Sequence, residues 1–388
     1  MKKFMSLTVA GLLLSSVIMG CATTKDSSSN GNPAENNEQV IRVGLQAPMT
    51  GDNGQYGVKM KEGVELAFKM VNSKGGVNGK KLELVVGDDK STPSEAVAVV
   101  NKMVTRDGVK AVIGGFNSSP TLASQEVTGA AKIPHLHLGA SPDLSRTGNE
   151  YLFRVILTDS IYVPALMKYM VETQKTKKIA ALFEMTDYGT SLAEAAKKEG
   201  EKLGASFVAV EAYNPGDKDF SAQITKIKAL NPDALMVAGL YNEAALISQQ
   251  ARQAGLNVKL FSPADGVDSS QLVTLGGKDV EGYIFATMVD LNAETQEITE
   301  FKKLSSENNI TPEAYTAISY DAAMVLAKAF EQGKDDPQKV REAIANIQYQ
   351  GASGPVSFDE KGDRTNTASQ VPIMNVLNGK FVRVQDAK

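Results

Sequence analysis

The chain has 388 residues, of which 42% are hydrophobic and 22% charged, with one cysteine, no tryptophan and a formal charge of −4. That length exceeds one ordinary core and predicts two domains. The mildly acidic balance argues against nucleic acid as a partner, since phosphate neutralisation needs a basic stripe, and a single cysteine rules out an internal disulfide framework.

The N-terminus reads first as an export signal. Met1-Lys2-Lys3 precedes an apolar or small run from Phe4 to Met19, which is the charge-then-apolar order of a secretory leader and shorter than the ~20 residues of a spanning helix. The run ends at Ile18-Met19-Gly20-Cys21, which resembles the lipobox of bacterial lipoproteins. The resemblance implies cleavage before Cys21 and a lipid on its sulfur. Ala22 to Gln39 is Ser, Asn, Thr, Gly and charge without apolar periodicity; it cannot bury enough surface to offset its ordering entropy and reads as a flexible tether. Residues 1–20 are therefore expected to be a signal peptide and 21–39 a lipidated tether holding an exported protein at the membrane.

From Val40 strands and helices alternate. Val40–Leu45 suits a buried parallel strand, and Gly57–Lys74 an amphipathic helix closed by Gly75-Gly76. Strand Leu82–Val86 leads to helix Pro93–Arg106 with Thr92 as N-cap, strand Ala111–Ile113 to helix Pro120–Lys132, and strand His135–Leu138 follows. A second series begins near Lys178: strand Ile179–Phe183 and helix Thr190–Leu203, strand Phe207–Glu211 and helix Phe220–Leu230, strand Ala234–Ala238 and helix Glu243–Ala254, strand Leu260–Ser262 and a short helix at Ser270–Leu275. Glu297–Ile347 reads as helices, including Thr311–Gln332. Gly354–Phe358, Met374–Leu377 and Phe381–Val384 read as strands, the last two joined by a hairpin at Asn378-Gly379. Repeated βα units mean parallel sheets with helices on both faces. The expected fold is α/β, two doubly wound lobes joined by a three-strand hinge with crossings near Val155, Ala286 and Gly351. Lobe one would hold 40–155 and 287–351, lobe two 156–286 and 352–388.

The residues offer no catalyst. His135 and His137, the two histidines, alternate along one strand without a further metal-ligand spacing and read as structural. No nucleophile elbow, phosphate loop or dinucleotide fingerprint is present; Gly114-Gly115 lacks the required spacing. Asp88-Asp89 reads as a solvated turn leading into a helix. Neither a hydrolase nor a dehydrogenase is supported, and no metal or cofactor is expected.

In open α/β sheets ligands bind beyond the carboxyl ends of the strands, so those loops carry the functional signal. After Ile113 comes Gly-Gly-Phe-Asn-Ser-Ser-Pro-Thr, with Ser119 placed as N-cap and Pro120 at the first helical position, a hydroxyl and free N–H groups suited to a carboxylate. After Leu138, Gly139 and Ala140 allow close backbone approach and Ser141 adds a hydroxyl. Tyr188 and Tyr241 occupy the corresponding loops of the second series, and Asp265 is a lone acid beside Gly266. Donors for COO⁻ in one lobe and an acceptor for NH₃⁺ in the other suit a zwitterion, because leaving either charge buried and unpaired costs several kcal/mol.

Together, residues 40–388 resemble the type I periplasmic binding proteins, specifically the leucine/isoleucine/valine-binding family of ABC importers. The resemblance rests on the stretches Ile41–Val97, Val112–Ser124, Asp187–Ala195, Lys218–Leu256 and Gly354–Arg364. It implies a ligand held by Ser118 or Ser119, by Gly139, Ala140 and Ser141, by the lobe-two tyrosines Tyr188 and Tyr241, and by Asp265 at the amino group, with Tyr56 at the entrance. Asp265 stands where a glutamate is common. The expected function is capture of a small amino acid, leucine, isoleucine or valine, by a monomeric binding protein that closes and docks on a membrane permease with its ATPases. A receptor for an amide, urea or aromatic acid on the same fold, or a sensory ligand-binding protein, is the alternative; Asp265 discriminates, since an amine-free ligand would leave it unpaired.

Overall fold

The computed structural model describes residues 40–385. The expected leader, Cys21 and tether lie outside the described residues.

The first sheet is entirely parallel. Its strands are β1 (Val40–Ala47), β2 (Lys81–Asp88), β3 (Ala111–Gly114), β4 (His135–His137) and β5 (Leu152–Arg154), in the order β2-β1-β3-β4-β5. Helices α1 (Gly54–Ser73), α2 (Pro93–Lys102) and α3 (Ser118–Ala131) connect them. The β1 run Val43-Gly44-Leu45-Gln46-Ala47 is buried throughout, as a strand covered on both faces must be.

After α4 (Asp159–Lys168) the second sheet begins: β6 (Lys178–Glu184), α5 (Asp187–Lys202), β7 (Ser206–Tyr213), α6 (Ser221–Ala229), β8 (Ala234–Ala238), α7 (Tyr241–Gln253), β9 (Lys259–Ser262), α8 (Ser270–Gly276) and β10 (Ile284–Ala286). The chain then crosses back for α9 (Gln296–Glu307), α10 (Ala314–Gly333) and α11 (Pro337–Ala345), of which α10 packs on α1 in the first lobe. The predicted strand at Gly354 does not join either sheet. It forms a small hairpin of β11 (Tyr349–Gly351) and β12 (Gly354–Val356). The last hairpin, β13 (Ile373–Leu377) and β14 (Lys380–Arg383), turns at Asn378 and Gly379, both with positive φ, as the Asn-Gly pair predicts. It adds an antiparallel edge to an otherwise parallel sheet, ordered β14-β13-β10-β9-β8-β6-β7.

Two α/β lobes are thus joined where the chain passes after β5, after β10 and between β12 and β13. Both present the carboxyl ends of their parallel strands to a shared cleft. Among the described residues no helix is long and apolar enough to cross a membrane.

The α1–α10 contact anchors the first lobe. Met60, Val64, Ala67, Phe68 and Val71 recur at helical spacing and are buried with Ala317, Ile318, Ala322 and Val325. Gly63 lets the helices touch backbone to backbone: a Cβ there would lie 2.2 Å from the Thr316 carbonyl oxygen and 2.9 Å from the Tyr320 nitrogen. Gly63→Ala is expected to cost about 1–3 kcal/mol, the usual range for forced overpacking; urea unfolding checks it, and an unchanged midpoint would contradict the contact.

Three local readings need correction. Helix α3 begins at Ser118, because Asn117 is the last extended residue (φ −80°, ψ 139°), so Ser119 lies in the first turn rather than at the cap. Pro120 tolerates this because first-turn N–H groups have no helical partner. Helix α5 begins at Asp187 with Thr186 as N-cap, its hydroxyl accepting from Gly189 N–H at 3.2 Å, which moves Tyr188 from a loop tip into the first turn. Asp89 is not solvated: it is fully buried and accepts from Gln46 Nε2 at 3.0 Å.

Candidate functional site

The five strand-end loops singled out in the sequence converge on the cleft. Phe116, Asn117, Leu138, Ala140, Ile156, Tyr188, Leu240, Asp265, Gly266 and Tyr315 line a narrow cavity between the lobes.

On the first lobe, Ser118 is buried and its hydroxyl accepts from Ser141 N–H at 3.1 Å, which ties the β3 loop to the turn after β4. Ser119 is less buried and reaches across the cleft: its hydroxyl accepts from Asp187 N–H at 3.3 Å. A Cβ at Gly139 would lie 2.6 Å from Leu144 Cδ1 and 3.3 Å from the Ser118 Cα, so a larger residue there would push Leu144 aside. Ala140, between Gly139 and Ser141, faces the cavity.

On the second lobe, Asp265 opens a short turn after β9 and is fully buried. Its Oδ2 accepts from the Tyr162 hydroxyl at 2.6 Å. Burial pushes its carboxyl up to about 6, against the pull of that hydrogen bond. Tyr188 accepts from Gly266 N–H at 3.2 Å, and a side chain at Gly266 would collide with that hydroxyl. Burial holds the phenols of Tyr56, Tyr162, Tyr188 and Tyr315 well above the ordinary range, so they act as neutral hydroxyl groups.

Tyr56 projects from α1 into the cleft. It donates to the Gly266 carbonyl and accepts from Tyr241 N–H at 3.4 Å, so it bridges the lobes. Its ring stacks on Phe116 at 4.1 Å and meets Tyr241 and Tyr315 at 5.0 and 5.2 Å. Tyr241 starts α7 and turns its hydroxyl to the Asp52 carbonyl at 3.3 Å, at the rim; Asn242 Nδ2 donates to the same oxygen at 2.7 Å and Lys218 pairs with the Asp52 carboxylate at 2.9 Å.

Sequence reasoning missed Phe116, Tyr162, Tyr315 and Asp159. Tyr162 and Tyr315 sit on helices, outside the strand-end loops that carry the sequence signal. Asp159 is the first residue of α4 and fully buried; its Oδ2 accepts from Ser191 Oγ, while its Oδ1 has no partner. Burial pushes its carboxyl up to about 7, opposed by Ser191 and Arg154 and reinforced by Asp265. Asp265 lines the cleft, and Asp159 lies near enough to feel its charge; both buried carboxyl groups gain by meeting a cation. His135 and His137 are both buried and kept neutral, His135 pushed down to about 4 by burial.

Two α/β lobes with a cleft at facing strand ends are the architecture of the solute-binding proteins. The family model for periplasmic binding proteins matches residues 40–380, and this chain belongs to that family. It is 36% identical over 326 residues to Leu/Ile/Val-binding protein homolog 1 of Brucella suis, covering 83% of this chain and 87% of that one. It is 33% identical to the leucine-, isoleucine-, valine-, threonine- and alanine-binding protein of Pseudomonas aeruginosa, covering 84% and 88%. Among solved structures, the leucine-binding protein LivK of Thermotoga maritima superposes with a TM-score of 0.81 at 29% identity. LivJ of Streptococcus pneumoniae, in complex with isoleucine, superposes with 0.82 at 28%; each covers 88% of this chain and 97% of its own. A solute-binding protein of R. palustris in complex with benzoate shares the fold, with a TM-score of 0.81 at 18% identity over 89% of this chain and 95% of its own. The family is one of transport binding proteins and implies a place outside the cytoplasm.

Proposed function

We propose that this protein captures a branched-chain α-amino acid, leucine, isoleucine or valine, between its lobes and delivers it to a membrane permease driven by ATPases. The observation that carries this reading is the separation of the cleft into two chemical ends. The buried carboxyls of Asp265 and Asp159 offer an ammonium site on the second lobe. The Ser118 and Ser119 hydroxyls and the Gly139–Ser141 turn offer donors for a carboxylate on the first. Between them Phe116, Leu138, Ile156, Leu240 and Tyr315 supply an apolar wall for an aliphatic side chain. Relatives named for binding leucine, isoleucine and valine support the same ligand class.

Closure follows from differential affinity. A ligand whose two charges are met by opposite lobes gains both contacts only in the closed form, and shifts the population towards it by that difference. The binding protein works as a monomer, held at the membrane by lipid on Cys21. An amide, urea or aromatic acid is disfavoured because it would leave Asp265 buried without a cation.

A thermal-shift panel on protein purified through unfolding and refolding tests the ligand class. Leucine, isoleucine and valine at about 100 times Kd are expected to stabilise the fold by about 2.7 kcal/mol, with no shift from urea, short amides or benzoate. Stabilisation only by amine-free ligands would overturn the assignment.

A further inference from the structure

The turn that faces the ligand carboxylate is held from behind by one buried cation. Arg154, the last residue of β5, is fully buried. Its Nη1 donates to the Gly139 carbonyl, and its Nη2 to the Ser141 carbonyl at 3.1 Å and to Ser145 Oγ at 2.9 Å. Its Nε pairs with Asp363 at 2.8 Å, in the third passage between the lobes, and its own N–H reaches the Gly362 carbonyl at 2.8 Å.

The other backbone polar groups of the turn are engaged, with the Ala140 N–H as the exception. Gly139 N–H donates to His137 Nδ1 at 3.2 Å, the Ala140 carbonyl accepts from Asp159 N–H at 3.2 Å, and Ser141 N–H donates to Ser118 Oγ at 3.1 Å. Among the described residues the Ala140 N–H has no protein partner. In a trans peptide the carbonyl of residue i and the N–H of residue i+1 point in opposite directions. A guanidinium that draws the Gly139 carbonyl away from the cleft therefore turns the Ala140 N–H into it, where Ala140 lines the cavity. The same positive charge lies behind that peptide and favours an anion in front of it.

We propose that Arg154 is a positioning residue for ligand recognition: by clamping the Gly139 and Ser141 carbonyls it aims the Ala140 N–H at the ligand carboxylate. It does not touch the ligand. This role rests on the amino-acid reading above; the hydrogen bonds of Arg154 shape the carboxylate end, while its charge also reaches Asp159, so the charge-keeping lysine variant is the one that separates the two.

Calorimetry on the full chain tests it with two ligands, L-leucine and 3-methylbutylamine, which is leucine without its carboxylate. Arg154→Lys, which keeps the charge but not the fork, and Arg154→Met are compared with the unsubstituted protein. Arg154→Lys is expected to weaken leucine about tenfold or more, the scale of a hydrogen bond to a charged group, with the amine changed less than about threefold. Equal weakening of both ligands would show a merely structural role and overturn the proposal, as would leucine binding that Arg154→Lys leaves unchanged. If Arg154→Met does not fold, the lysine variant alone decides. Failure of the unsubstituted protein to bind any amino acid would instead sink the functional reading, and this role with it.

Discussion

Asp265→Asn is expected to weaken leucine binding at least about 100-fold while making the ligand-free protein more stable at pH 8. The two effects have one cause. Asp265 is buried, its carboxyl is pushed up to about 6 by that burial, and the Tyr162 hydroxyl at 2.6 Å is the side-chain donor that holds it most closely. Removing one partner of a buried charge pair costs about 3–5 kcal/mol, and each 1.4 kcal/mol is about tenfold in Kd. Without ligand the sign reverses. A carboxyl whose folded value lies above its unfolded 3.8 contributes stability present below the unfolded value and lost as pH rises through about 6. For a carboxyl carried from 3.8 to about 6 that loss is about 3 kcal/mol. Asparagine keeps an acceptor for Tyr162 and avoids that loss. By the same linkage, leucine affinity in the unsubstituted protein should begin to fall below about 7, where Asp159 takes up a proton, and fall by at least about tenfold per pH unit below about 6, where Asp265 does too and binding must displace it. Calorimetry and urea unfolding at pH 5 and 8 check both halves. An asparagine variant that binds leucine as tightly as the parent would sink the zwitterion assignment.

Arg364→Met is expected to destabilise the protein by about 3–5 kcal/mol, more at pH 8 than at pH 5. Arg364 is buried, and its charge is partly disfavoured there, down to about 10. It joins two passages between the lobes: Nη1 donates to the Val155 carbonyl at 2.8 Å, Nη2 to the Ser353 carbonyl at 2.8 Å and Nε to the Pro355 carbonyl at 3.0 Å. Its positive charge also offsets the buried Asp321, which accepts from Ala352 N–H at 3.1 Å and Ser353 N–H at 2.7 Å. Methionine fills similar volume but leaves three carbonyls unpaired and Asp321 without its nearby cation. Burial already pushes the Asp321 carboxyl up to about 6; losing Arg364 raises it further. The ionised form is then penalised more, so the deficit grows as pH rises through that range. A change below about 1 kcal/mol in urea unfolding would show that Arg364 does not clamp the hinge.

Both arginines were hard to weigh from the sequence. Arg154 stands alone in Leu152-Phe153-Arg154-Val155-Ile156-Leu157, and a single charge in an apolar run is a signal that was open to reading. What it does depends on Gly139, Ser141 and Asp363, the last 209 positions away. Asp159 is similar: its place at the start of α4 reads as an ordinary helix-terminal acid, and only the packing of Ser191 and the β4 turn around it makes it a buried carboxyl with a free oxygen.

The element order, the two parallel sheets and the strand-end loops were legible because they follow from local pattern. Apolar runs of strand length, helical spacing of side chains and Gly or Asn at turns act within about ten residues, and strand ends are where an open α/β sheet must leave a crevice. The start of α3 at Ser118, of α5 at Asp187 and of α7 at Tyr241 lies two or three residues ahead of the sequence expectation; only α5 carries a side-chain cap, Thr186, while α3 and α7 begin without one and so leave no capping signal to read. Only the tertiary structure decided which distant groups meet. Tyr56 reaches Gly266 across the cleft and Tyr162 reaches Asp265 within the second lobe, over separations of 210 and 103 residues. The burial that raises Asp265 is likewise a property of the packed lobes, because desolvation depends on everything folded around a charge and not on its neighbours in the chain.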